Sequence, residues 1–322
     1  MAKPLVVVTR AVPREALELL GAHARVDANE ADRGYTPAEL ISHAHDADAL
    51  VSLLTDRIDD AILSSAAKLK VVANVAVGYD NIDVAAAARR GVLVTNTPGV
   101  LTDATADFAW ALCLAVVRNV VPADRFVREG RFHEWMMMEF HGGELAGRTL
   151  GIAGFGRIGQ AVARRGRGFG MHVIYANPRR VAQAIESETG AHFVDKETLL
   201  ASSDVLSLHV PLVPATRHYL SDAEFALMKR SAYVINTARG PVIDEPALAR
   251  ALSAGEIRGA GIDVFEREPA VDAGLLAAPN TVLAPHIGSA TTETRTKMAL
   301  MAAENVIAVL AGRPPVNPVR VN

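Results

Sequence analysis

The sequence predicts an α/β protein built from two parallel-sheet domains, and three observations carry that expectation. Short apolar, β-branched runs alternate with longer stretches of helical periodicity along nearly the whole chain, the pattern of strands joined by covering helices. The alternation falls into two series, one before about residue 98 and one from residue 149. The length of 322 residues also exceeds what one ordinary core holds.

The first series opens with LVVVTR (5–10), followed by a helical pattern from Pro13 to Leu20. ADALVSLL (47–54), LKVVANVAV (69–77) and GVLVTNTP (91–98) are further strands, with Ala-rich helical stretches between them. TADFAWALCLAVVRNVVPADRFV (105–127) then reads as one long apolar helix spanning the domain junction. The second series is TLGIAGFG (149–156), HVIYANP, DVLSLHVP, AYVINTARG, IRGAGIDVF and TVLAPHIG. A last helix over 291–312 ends at Gly312 before RPPVNPV, a stop signal. Because the second sheet is complete before it, this helix is expected to return to the first domain. The expected division is therefore 1–98 plus 290–322 against 99–289.

Half of the residues are hydrophobic and 21% charged, the balance of a globular protein, and the net charge of −3 offers no basic footprint for nucleic acid. No apolar stretch reaches the roughly 20 residues a membrane helix needs, and no signal peptide is visible. Cys113, the only cysteine, lies in an apolar helical run and reads as core. A single thiol excludes an internal disulfide or a cysteine-based metal site and fits a reducing cytoplasm, where the protein is expected to reside. No metal is expected.

GFGRIG, residues 154–159, matches G-x-G-x-x-G between an apolar strand and a helix start, the context that turns a weak pattern into a dinucleotide site. Gly154 permits the tight turn, Gly156 lets the backbone approach a pyrophosphate and Gly159 allows close helix–strand packing. Phosphates would then meet the free N–H groups at the helix N-terminus. Gly166 and Gly168, in RRGRGFG, weaken the last turns of that helix without an evident reason. About 20 residues past the glycines, where an acid would bind the ribose 2′-hydroxyl of NAD, stands Asn177, followed by Arg179 and Arg180. A neutral amide and two guanidinium groups suit a 2′-phosphate, so NADP(H) is expected to be preferred, with NAD(H) use possible. The plainer reading, two solvated surface arginines, stays open.

Three strand-end segments follow: NTARGPVID with Arg239, GIDVFEREP with Asp263 and Glu268, and APHIGSAT with His286. In an open α/β sheet, ligands bind outside the carboxyl ends of the strands, so these should converge on the reactive end of the cofactor. They are the parts needed to reduce a 2-keto acid. Arg239 can clamp the carboxylate and polarise the keto oxygen. His286, set on a constrained turn between Pro285 and Gly288, can donate the proton. Glu268 can orient the imidazole and favour its protonated form.

At these residues the chain resembles the D-isomer-specific 2-hydroxyacid dehydrogenases, most of all their glyoxylate/hydroxypyruvate reductase branch. The likeness runs through NVAVGYDNID, TPGVLTDATADFAW, GFGRIGQAVARR, HVPLVPATRHYL, INTARGPVIDEPAL, GAGIDVFEREP and PHIGSAT. The resemblance implies two Rossmann-like domains with a cleft between them: a discontinuous, flavodoxin-like substrate-binding domain and an NAD(P)-binding domain. It also implies a homodimer joined through the cofactor domains, and Arg239, Glu268 and His286 as the catalytic set. The amides of Val77 and Gly78 would hold the substrate carboxylate, with Leu54 lining the same cleft. For the cofactor it implicates Thr105, Gly154, Phe155, Gly156, Arg157, Ile158, Gly159, Asn177, Arg179, Arg180, His209, Pro211, Thr216, Thr237, Ala238, Asp263, His286 and Gly288.

The segment EWMMMEFHGGEL (134–145) departs from the aromatic or proline-rich sequence of several reductases of that branch. Its methionines Met136–Met138 adapt to irregular surfaces and could reshape substrate selection or a subunit contact. His133 and His141 read as surface residues. The expected activity is NADPH-dependent reduction of glyoxylate or hydroxypyruvate to the hydroxy acid. Reduction of a larger 2-keto acid such as 2-ketogluconate is the enzymatic rival, and a nucleotide-sensing, corepressor-like binding protein is the rival from another class.

Overall fold

In the computed structural model, which describes residues 3–31 and 33–320, the chain divides into two compact units, one up to Leu101 and from Ala290 onward, the other Thr102–Ser289. The first break falls at 101/102 rather than 98/99 because the next helix begins at Thr102. In unit 1 the strands β1 (Leu5–Val8), β2 (Arg25–Ala28), β3 (Ala49–Ser52), β4 (Val71–Asn74) and β5 (Leu93–Thr95) form a parallel sheet in the order β2-β1-β3-β4-β5. Alternate side chains of β1, β3 and β4 serve two apolar layers. Val6, Val8 and Val71 pack with Leu20, Ala299 and Val306 of helices Arg14–His23 and Thr292–Leu310, while Val7, Leu50 and Val72 pack with Leu40, Ile62 and Ala86. A strand covered on both faces needs apolar residues at every position, which is why LVVV and VVA are unbroken runs.

Unit 2 carries β6 (Thr149–Ala153), β7 (His172–Ala176), β8 (Ala191–Phe193), β9 (Val205–Leu208), β10 (Tyr233–Asn236), β11 (Gly259–Ile262) and β12 (Thr281–Leu283). All are parallel, in the order β12-β11-β10-β9-β6-β7-β8. The order reverses between β6 and β9, the switch point at which open sheets of this kind bind ligands.

The sequence reading misses β2 and β8. Both are edge strands, paired on one side only, with the partly exposed sequences RVDA and AHF, so they lack the apolar signal of central strands. It also runs two helices together. Thr102–Val117 and Val120–Arg128 are separate and bent by 65° at Asn119, whose φ of 54° is left-handed, a conformation asparagine tolerates. The first of the pair belongs to unit 2. It buries Trp110, Leu112 and Val116, and Cys113 beside them has its thiol pushed up to about 12 by burial, consistent with packing rather than reactivity. Among the described residues no single helix is long and apolar enough to cross a membrane, although this bent pair reaches that length and composition together.

The two odd glycines of helix Arg157–Gly168 separate here. A Cβ on Gly166 would lie 2.7 Å from Leu150 Cδ2 and 3.4 Å from Trp110 Cζ2, so the residue is bare to let the helix lie against β6 and Trp110. Nothing lies within 4 Å of a Cβ on Gly168. Gly166→Val should therefore cost about 1–3 kcal/mol by overpacking, while Gly168→Ala should stabilise by roughly 0.5 kcal/mol, as glycine's excess unfolded-state entropy is removed. Urea unfolding checks both, and equal effects of the two substitutions would refute this division of roles.

Candidate active site

The glycine loop sits between β6 and the first turn of helix Arg157–Gly168. Gly154 has φ +89°, and a Cβ there would meet the His209 carbonyl group at 2.6 Å. The residue must therefore be glycine for conformation and for space. A Cβ on Gly159 would lie 2.3 Å from the Gly154 carbonyl oxygen, so the first helical turn folds directly back on the loop. Gly156 is open, with nothing within 4 Å of its added Cβ, and no side chain caps the helix it precedes. An uncapped N-terminus with bare backbone fits a diphosphate. Phe155 instead turns inward, stacked on Tyr175 at 4.1 Å, and Ile158 packs on the same core, so only their backbone serves the loop. Arg157 is exposed.

At the end of β7 the three ribose-site candidates part company. Asn177 accepts from the Phe155 N–H at 3.4 Å and donates to the Arg179 carbonyl at 3.0 Å, bracing the turn. Arg180 makes a bidentate ion pair with buried Glu186 at 2.9 and 2.7 Å, and Tyr175 donates to the same carboxylate at 2.8 Å. Arg180 first, then Tyr175, holds the Glu186 carboxyl down at about 2. Arg180 is thus a fixed structural partner, whereas the exposed side chain of Arg179 has no partner among the described residues.

Across the switch point, His209 follows β9. Its Nε2 lies 2.8 Å from Ser207 Oγ, and burial pushes the imidazole down to about 4, so it is neutral at physiological pH. Thr216 Oγ1 donates to the Pro211 carbonyl at 2.6 Å and receives the Val213 N–H at 2.9 Å, closing the loop beyond. After β10, Asn236 receives the Ala238 N–H and donates to the Arg239 carbonyl, both at 3.0 Å, fixing the turn that presents Arg239. Gly240, which sequence reasoning passed over, makes that placement possible: a Cβ there would fall 1.9 Å from the Phe265 carbonyl group. Beside it, the buried hydroxyl of Thr237 has no hydrogen-bond partner among the described residues, which leaves it for a ligand.

Asp263, at the end of β11, organises the turn of His286. Its carboxylate accepts the Ile287 and Gly288 N–H groups, each at 2.8 Å, and its carbonyl accepts the His286 N–H at 2.8 Å. Burial pushes this carboxyl up to about 6 against the pull of those two N–H groups and of His286. A Cβ on Gly288 would lie 3.1 Å from Asp263 Oδ2 and 3.6 Å from the methyl of buried Thr105. His286 itself has φ 56°, a left-handed conformation uncommon for a side chain of this size. Its Nδ1 is 2.9 Å from Glu268 Oε2, while Oε1 of that carboxylate accepts the Phe265 N–H at 3.0 Å. Burial pushes Glu268 upward, but His286, the Phe265 N–H and Arg239 outweigh it and hold the carboxyl below its ordinary value. Unit 2 therefore brings Arg239, Glu268 and His286 to the carboxyl ends of β10, β11 and β12.

In unit 1, Val77 and Gly78 follow β4 in a loop held by asparagines that the sequence reading did not single out. Asn96 donates to the Val77 carbonyl at 2.8 Å and Asn74 to the Gly78 carbonyl at 3.0 Å. Asn81 in turn donates to the Leu53 and Asp56 carbonyls at 3.1 and 2.9 Å. With their carbonyls held this way, the N–H groups of Val77 and Gly78 donate to no acceptor among the described residues. Leu54 is partly exposed in the turn after β3. His133 and His141 are exposed, with His141 Nε2 2.6 Å from the Met137 carbonyl oxygen.

Residues 110–288 match the family description "D-isomer specific 2-hydroxyacid dehydrogenase, NAD binding domain". The chain is 49% identical over 319 residues to a glyoxylate reductase from Thermococcus litoralis, covering 98% of this chain and 96% of that one. It superposes on a glyoxylate reductase from Paecilomyes thermophila with a TM-score of 0.89 at 34% identity, covering 99% of each chain. It also superposes on an NADPH-dependent glyoxylate/hydroxypyruvate reductase from Sinorhizobium meliloti, in complex with NADP and malonate, with a TM-score of 0.86 at 31% identity, covering 99% and 97%.

The depressed imidazole of His209 predicts that acid weakens the fold. Between about pH 6.5 and 4 the unfolded chain binds a proton at this residue that the folded one does not, so stability is complete above that window and is lost as pH falls through it. His209 alone should remove about 2 kcal/mol between pH 7 and pH 5. Urea unfolding of His209→Gln should show a correspondingly smaller loss, and an identical pH dependence would refute the assignment.

Proposed function

The chain belongs to the D-isomer-specific 2-hydroxyacid dehydrogenase family, and from that premise we propose that it reduces glyoxylate and hydroxypyruvate to the corresponding 2-hydroxy acids. The observation that carries this reading is the His286–Glu268 pair at 2.9 Å, set at the strand ends of the same unit that bears the glycine loop. A bound nicotinamide cofactor would supply the hydride for the keto carbon. With Nδ1 of His286 engaged by an ionised Glu268, the free nitrogen is Nε2, and the proton for the keto oxygen leaves from there. Arg239, presented by the Asn236 turn, binds the carboxylate and polarises the keto group. The undonated N–H groups of Val77 and Gly78 are suited to a carboxylate as well.

The cofactor we assign is NADP(H) by preference. Asn177 places no charge against a 2′-phosphate, and Arg179 has no carboxylate to hold it elsewhere. The Sinorhizobium relative is itself NADPH-dependent. Assembly as a homodimer is supported by the apolar side chains exposed from Val120 to Met138, with Trp135 at 74% and Met138 at 78% exposure, a surface that a monomer seldom leaves to water.

Arg239→Gln should lower kcat/KM for glyoxylate by about 10²–10⁴ while leaving cofactor affinity near native. Steady-state kinetics with a parallel cofactor titration test this, and near-native turnover would overturn the assigned chemistry. The two ribose-site arginines should behave differently. Arg179→Gln should raise the KM for NADPH about tenfold and leave that for NADH unchanged, since only the 2′-phosphate contact is lost. Arg180→Gln should instead lower stability, because it leaves buried Glu186 unpaired. Equal effects of Arg179→Gln on both cofactors would mark it as an ordinary surface charge.

A further inference from the structure

Unit 2 has a second concavity, at the amino ends of its strands and so at the opposite edge of the sheet from the glycine loop. It encloses about 390 Å³, within the range of small-molecule pockets, over an apolar floor that includes Val117, Leu145 and Tyr233. Its wall is built by close contact. A Cβ on Gly142 would lie 2.3 Å from the Val117 carbonyl oxygen, and the Gly143 N–H donates to that oxygen at 3.0 Å, pressing the 142–145 segment onto the end of helix Thr102–Val117. Three arginines line it: Arg148 immediately before β6, Arg230 just before β10 and Arg258 immediately before β11. In the order β11-β10-β9-β6 these strands are near neighbours, at roughly 4.8 Å per step.

Several other arginines of this unit are paired with carboxylates, as in Arg164–Glu188, Arg165–Asp107, Arg180–Glu186 and Arg250–Asp222. The three in the concavity have no side-chain partner among the described residues. Its own carboxylates leave them unanswered. Asp204 is taken by Lys229 at 3.0 Å and by the Thr149 N–H at 2.8 Å, and Glu144 makes no ion pair among the described residues. All three arginines are exposed along this concavity, so their guanidinium groups are accessible to an anion.

We propose that this concavity is a second ligand site, separate from the catalytic loops, for a small molecule carrying two or more carboxylate or phosphate groups on a compact body. Guanidinium forks accept either group bidentately, so the chemistry of the occupant is polyanionic rather than specific to one source.

Calorimetric titration of the full protein with citrate and with pyrophosphate, at constant ionic strength, tests this and separates the carboxylate from the phosphate source. Native protein should bind at least one of them, and the triple variant Arg148→Gln/Arg230→Gln/Arg258→Gln should bind it at least about tenfold more weakly while keeping native kcat on glyoxylate. Arg239→Gln should bind it as native does. Should the triple variant lose its circular dichroism signature, Arg230→Gln alone should still weaken binding severalfold. The proposal is overturned if neither anion binds above a sodium chloride control. It is equally overturned if the arginine variants bind as native, or if Arg239→Gln alone abolishes binding, which would put the anion at the catalytic loops.

Discussion

The geometry of unit 2 depends on one close backbone approach, Gly154 against His209 across the switch point between β6 and β9. Any side chain at Gly154 would push into the His209 carbonyl at 2.6 Å, and the same glycine's carbonyl sits where Gly159 must also be bare. The loop, the helix start and the end of β9 are therefore locked together by the absence of two Cβ atoms. The first turn of the helix that follows has no side-chain cap, and His209 beside the loop has its imidazole held down by desolvation.

The loops of the candidate active site repeat this logic with polar groups. Asp263 is the hub: one carboxylate and one carbonyl capture the successive N–H groups of His286, Ile287 and Gly288. Holding His286 at φ 56° is costly for a non-glycine residue, and those three hydrogen bonds offset it. Glu268 then fixes the ring through Nδ1, and Gly240 lets the Arg239 turn lie on the Phe265 backbone. Arg239 and His286 are thus each set by neighbouring groups that fix their turns. Pre-organisation of this kind holds the His286 ring on its turn without rearrangement.

Unit 1 follows the same scheme with asparagines. Asn74, Asn81 and Asn96 satisfy carbonyls around the β3 and β4 loops, so the neighbouring N–H groups of Val77 and Gly78 are the unsatisfied ones. This polar network occupies acceptors and leaves those two donors open.

The sequence alone determined what periodicity and spacing encode. Central strands buried on both faces announce themselves as unbroken apolar runs, and G-x-G-x-x-G between a strand and a helix declares its turn, so the two sheets and the loop at 154–159 were legible. So was the gathering of Arg239, Glu268 and His286 at one edge of the sheet, because strand ends in an open sheet share that edge. Edge strands β2 and β8 were not, since a strand paired on one side needs no continuous apolar run. The break at Asn119 was hidden because neither Arg118 nor Asn119 is a glycine or proline, so only the local backbone reveals it. Tertiary structure alone decided partnership. Whether Arg180 meets a phosphate or Glu186, and whether Gly166 is a weakness or a packing requirement, depends on what lies across space from it. Residues distant in sequence supply that neighbour, as Glu186, Leu150 and Trp110 do here, and no local pattern records their approach.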